Sequence, residues 1–157
     1  MSREPKRMTR TRSPFRILND GTLTGVNCVD KTQVIAPEEA TDIEEFAFYK
    51  CLSLKTVVFT GKVHKINRNI FEDCPALEKI IFMDCSNLEY LDIHAFSGLD
   101  KKCEVHFPQA TLDEFNKAFE HLNQDITCKP IDLDDLLLSK PFSIKEANDY
   151  LLGSTER

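Results

Sequence analysis

An α/β solenoid is the fold class this sequence predicts, with short parallel strands joined by short helical turns. Three observations predict it. Ile43, Phe48, Cys51, Leu54, Val57 and Phe59 recur 23 positions later as Ile66, Phe71, Cys74, Leu77, Ile80 and Phe82. A third copy follows at an offset of 25, with Leu91, Phe96, Leu99, Val105 and Phe107, and Val34 and Ala36 form a half copy ahead of the first. Each copy also changes its local pattern. Thr56–Thr60 alternates and is rich in β-branched residues, as strands are, whereas Glu44–Lys50 reads as a short helical turn that points Phe48 inward. One such unit cannot bury its own apolar face, but stacked units cover one another.

The elements follow in order. Asn19-Asp20-Gly21 is a hairpin signal between Phe15–Leu18 and Thr22–Val26, and that hairpin is placed to cap the first rung. The strands carry Val57/Phe59, Ile80/Phe82 and Val105/Phe107 inward. Thr111-Leu-Asp-Glu114 is a capping box, and Leu112, Phe115, Phe119 and Leu122 share one helical face. A C-terminal helical cap is therefore expected there, with Ile126–Ile131 as a final strand. Beyond it, Asp132-Leu-Asp-Asp-Leu-Leu-Leu138 is acidic and apolar together, and Ser143–Glu146 opens a short helix that stops at Gly153. This tail is either a second cap or a helix for a partner. The chain thus divides into a basic disordered leader (1–14), a capped repeat domain (15–131) and an acidic, amphipathic tail (132–157).

The segment Ile43-Glu-Glu-Phe-Ala-Phe-Tyr-Lys-Cys-Leu-Ser-Leu-Lys-Thr-Val-Val-Phe59 resembles the repeat of BspA-like leucine-rich-repeat proteins. Ala47-Phe48 and Ala95-Phe96 keep the Ala-Phe pair of that repeat, Ile70-Phe71 departs from it, and Leu99 replaces the cysteine. Asp20-Gly21-Thr-Leu-Thr-Gly25 and Val34-Ile-Ala-Pro37 are similar to the family's lead-in. The resemblance spans about residues 15–131 and implies a leucine-rich-repeat solenoid used for surface recognition. Many members are secreted adhesins, and an adhesin reading needs an export signal.

Composition narrows the function. The chain is 41% hydrophobic with a net charge of −6, so the body does not attract nucleic acid by itself. No apolar run is long enough to span a membrane, and Met1–Arg7 lacks the apolar stretch of a signal peptide, so a cytoplasmic protein is expected. Six cysteines occur, none in a Cys-x-x-Cys pair. Cys51 and Cys74 stand at equivalent repeat positions, within reach of a disulfide. Packing as small hydrophobes is the favoured reading, with all thiols free.

No catalytic, metal or cofactor site is expected. His64, His94, His106 and His121 lack metal-pair spacing, there is no Gly-rich phosphate loop, and Glu44–Glu45 and Asp134–Asp135 read as solvated turns. A protein-protein interaction module is expected instead. The outward strand positions form three columns: Gln33, Thr56, Lys79 and Glu104; Ile35, Val58, Ile81 and His106; Pro37, Thr60, Met83 and Pro108. The resemblance implies Thr or Ser in the middle column, but three rungs here are aliphatic. A contiguous outward apolar stripe marks an interface, although strand propensity alone also selects Val and Ile. The expected partner-binding residues are Ile35, Val58, Thr60, Lys79, Ile81, Met83 and His106. Their partner is another protein, a second copy of this chain, or the Leu136–Leu138 segment folded back. The alternative is attachment to nucleic acid or an anionic membrane through Arg3, Lys6, Arg7, Arg10, Arg12 and Arg16, which give residues 1–16 a net charge of +5.

Overall fold

The computed structural model describes residues 13–92, 94–99, 103–109, 127–132 and 134–135. Ten strands run through them: β1 Phe15–Ile17, β2 Thr22–Val26, β3 Gln33–Ala36, β4 Asp42–Ile43, β5 Thr56–Lys62, β6 Lys65–Ile66, β7 Lys79–Asp84, β8 Tyr90–Leu91, β9 Glu104–Phe107 and β10 Thr127–Pro130. They form two five-stranded sheets, one in the order β1-β2-β4-β6-β8 and the other β10-β9-β7-β5-β3. Every pairing in the second sheet is parallel.

The repeat sets the register. Val34, Val57, Ile80 and Val105 stand side by side on β3, β5, β7 and β9, as do Ile35, Val58, Ile81 and His106. The N-terminal hairpin forms as expected. β1 and β2 pair antiparallel, and Gly21 supplies the left-handed turn residue at φ 92°, which glycine adopts without steric cost. The expected final strand is β10, parallel to β9.

The helical half of the expectation is corrected. The described residues form a β-solenoid, and Glu44–Lys50 is not a helical turn. Phe46 and Lys50 take left-handed φ values of 61° and 58°, which end any right-handed helix. Their backbone donors also point sideways. The N–H groups of Phe46, Phe48 and Lys50 bond to the carbonyls of Asn69, Ile70 and Glu72 on the next rung. A helix satisfies its donors within its own turn, whereas here the corner satisfies them between turns. The expected cap Thr111–Leu122 and the tail helix at Ser143–Gly153 lie outside the described residues.

The core is an aromatic zipper between the sheets. Phe48 and Phe71 lie 4.8 Å apart, Phe71 and Phe96 6.4 Å. Those three rings come from the corners, and on the all-parallel sheet Phe59, Phe82 and Phe107 stack at 4.8 and 5.4 Å, with interplanar angles of 9° and 6°. Edge-to-face contacts join the columns, as between Phe48 and Phe59 at 5.7 Å. All six rings are buried. Stacking of identical residues follows from the strand spacing of about 4.8 Å.

The expectation of six free thiols is also corrected, because Cys28 and Cys51 form a disulfide with Cα atoms 5.4 Å apart. Cys28 precedes Cys51 by one repeat length of 23 residues, so parallel stacking places the two side chains on adjacent rungs. Cys74, one rung further, stays reduced and its Sγ–H donates to the Phe48 carbonyl. Burial pushes the Cys74 thiol up to about 11 and the Cys85 thiol up to about 12.

Candidate protein-interaction face

The seven residues singled out from the sequence all lie on the outward side of the all-parallel sheet or at its margin. Alternation places Val57 and Phe59 in the core and Val58 between them on the opposite surface. The register then aligns Ile35, Val58, Ile81 and His106 across four strands. Thr60 is half-buried, and its hydroxyl donates to the Ala36 carbonyl at 2.6 Å.

This stripe is covered. Ile35 is 37% exposed, but Val58 and Ile81 are fully buried, His106 is 2% exposed and Met83 8%. The expectation that the column stands open to solvent is therefore corrected: three of its four members are buried within the chain itself. Leu136–Leu138, one candidate cover from the sequence, lies outside the described residues, as does the basic arm through Arg12.

Asp135 is the described residue that meets this face. It is fully buried, and its carboxylate is gripped at both oxygens. The Lys79 ammonium lies 3.0 Å from Oδ1 and His106 Nδ1 lies 2.6 Å from Oδ2. The Asp132 N–H also donates to Oδ2 at 3.0 Å, and the Asp135 N–H donates back to Asp132 Oδ1 at 2.9 Å. On the other side of the imidazole, Nε2 lies 3.0 Å from Glu104 Oε1, and Lys129 lies 3.2 Å from Glu104 Oε2. A row of alternating charge thus runs Lys79, Asp135, His106, Glu104, Lys129.

Protonation follows from that row. Burial pulls the His106 imidazole down, but its hydrogen bonds to Asp135 and Glu104 outweigh this and raise it above its ordinary value. Burial pushes the Asp135 carboxyl up, yet its bonds with His106, Asp132 and Lys79 hold it below the ordinary value. The hydrogen bond from His106 lowers Glu104. Each partner favours the charged form of the next.

Sequence reasoning missed Asp135 and Asp132, and it placed Glu104 in an outward column beside Lys79 without counting it among the binding residues. Asp134–Asp135 read as a solvated pair, and Asp134 is exposed, but Asp135 is not. The available signal was Asp132-x-x-Asp135, a spacing at which side chain and backbone cap each other reciprocally. His106, Asp132 and Asp135 also bring ligand-type atoms within 4.8 Å of one another. Lys79 already holds the cation position against Asp135, so this cluster reads as an ion-pair network rather than a metal centre.

Two stacked sheets built from one recurring corner-and-strand unit define a short repeat solenoid. The model of the BspA-type leucine-rich repeat region matches residues 26–130 in six copies, and the chain belongs to that family. No curated protein and no solved structure matches the chain. Among the described residues, no helix is long and apolar enough to cross a membrane.

Proposed function

We propose that this chain is a non-catalytic protein-interaction module that takes a polypeptide on the outward face of its all-parallel sheet. The binding surface is formed by Ile35, Val58, Thr60, Lys79, Ile81, Met83 and His106, open at Ile35 and uncovered at its buried positions only when the partner displaces what packs on them, on a recognition domain spanning residues 15–131. One observation carries the reading: Lys79 and His106 hold the buried carboxylate of Asp135, which lies 29 residues beyond His106 in the chain. The face is therefore chemically suited to polypeptide, joining an aliphatic column to a cationic pair that desolvates a carboxylate. Leucine-rich-repeat membership supports the same class of function. The Cys28–Cys51 disulfide weighs against the cytoplasmic setting expected from the sequence, because disulfides are rare there.

Site-specific photo-cross-linking tests the surface. A photoreactive residue at Ile35, on the exposed margin of the stripe, is expected to trap a protein partner in native extract. The same residue at Leu52, which is 60% exposed on the corner after Cys51, is expected not to. Cross-links from Leu52 alone would move the interface off the sheet face.

A further inference from the structure

The outward face presents more than an apolar stripe. Beside Val58, Ile81 and Met83 stands an anion grip, with two cationic side chains aimed at one carboxylate and both oxygens engaged at 3.0 and 2.6 Å. His106 and Asp135 are buried while Lys79 is 27% exposed, so the imidazole cannot trade its carboxylate for loosely bound water at little cost. A buried cation left without its partner is strongly unfavourable. The local charge balance makes the same point. With Asp135 in place, Lys79, His106 and Lys129 face Asp135, Glu104 and Asp132. With the Asp132–Asp135 segment withdrawn, the three cations face Glu104 alone. An uncovered face would be apolar in its middle column and positive at one end.

We propose that the partner of this face is a peptide carrying an acidic residue next to an aliphatic run, and that the chain's own Asp132–Asp135 segment competes with it for Lys79 and His106. This inference rests on the function proposed above and names the partner's chemistry. The chain supplies the pattern itself. Asp132-Leu-Asp-Asp-Leu-Leu-Leu138 sets carboxylates ahead of three leucines, and the described part of that segment already places Asp135 in the grip. A partner with the same pattern would satisfy the same donors. Because the intramolecular copy is tethered, it holds the face at high effective concentration. A partner in trans then binds with an affinity reduced by the fraction of molecules whose face is open.

The test uses the full-length chain and a fluorescent peptide of residues 131–139, with fluorescence polarisation as the readout. Asp135→Asn removes the resident carboxylate charge. The peptide is expected to bind this variant roughly tenfold or more tighter than the wild type, as relief of self-occupancy requires. Adding Lys79→Met is expected to abolish the gain, and so is replacing the peptide's aspartates with asparagine. Circular dichroism establishes that each variant is folded. If Asp135→Asn does not fold, Asp132→Ala loosens the segment by removing its reciprocal brace and serves in the same comparison. Equal peptide affinity for wild type and variant, or binding indifferent to Lys79, would overturn the proposal. So would dimerisation of the variant without peptide binding, which would assign the face to a second copy. If the peptide fails while Ile35 still cross-links a partner, the peptide chemistry is wrong and the surface stands; if both fail, the surface falls too.

Discussion

Phe71→Ala removes the centre of the aromatic zipper. Phe71 is 1% exposed and touches Phe48 at 4.8 Å, Phe59 at 6.4 Å and Phe96 at 6.4 Å between ring centroids. Truncating a buried Phe costs about 3–5 kcal/mol, and the cost rises with the cavity that remains. Here the cavity cannot easily collapse. Rungs on both sides are fixed by lateral backbone bonds, Phe48 N–H to the Ile70 carbonyl and Ile70 N–H to the Ala95 carbonyl. The upper half of the range is therefore expected, read as a fall in the urea midpoint at unchanged m-value. For a chain of this size each kcal/mol corresponds to about 2–4 °C in melting temperature. A loss below about 1 kcal/mol would place Phe71 outside the core and refute the register.

Three further outcomes follow from burial, redox state and backbone. Ile81→Ala is expected to cost about 2–5 kcal/mol in the same denaturation assay, as a buried position does, while Ile35→Ala stays within about 0.5 kcal/mol; equal small effects would mean the stripe is uncovered in solution. Thiol titration of the denatured, non-reduced protein is expected to leave four cysteines reactive, with Cys28 and Cys51 oxidised; six reactive thiols would restore the packing reading. Phe46 is 45% exposed at φ 61°, where the next rung uses Asn69 at φ 51°. Phe46→Asn is expected to stabilise by about 1 kcal/mol, since asparagine tolerates this conformation, and a loss of stability would show that the Phe46–Tyr49 contact at 5.9 Å matters more.

The strand half of the fold was legible because apolar residues recur at one offset, and a parallel stack turns that offset directly into register. The corners were not. Phe46-Ala47-Phe48 looks helical by composition, and its conformation is decided by bonds to residues 23 or so positions away, which no local window contains. The disulfide was half legible. The offset of 23 that pairs Cys51 with Cys74 also pairs it with Cys28, but Cys28 lies ahead of Val34, where the recognisable half copy begins. The alignment of Ile35, Val58, Ile81 and His106 across four strands was legible, because it follows from the same offset. The burial of that column was not readable from strand alternation, which fixes the side of the sheet a residue takes and not what packs on it, and Asp135 gains its meaning only from Lys79 and His106, 56 and 29 residues away.

The most direct test of the carboxylate-holding face is a double-mutant cycle of His106→Gln and Asp135→Asn, measured by chemical denaturation as a function of pH. His106 is raised in the fold, so its contribution is fully present below the ordinary imidazole value of about 6.5 and is lost as pH rises through the raised one. Asp135 is lowered, so its contribution is present above about pH 4 and is lost as pH falls through the lowered value. The coupling is thus expected to peak near pH 5–6 at about 1.5–3 kcal/mol, the range for hydrogen bonds to charged groups, and to decline at alkaline pH. A coupling indistinguishable from zero at pH 5–6 would contradict the account, because Asp135 would then not be held by His106 at all.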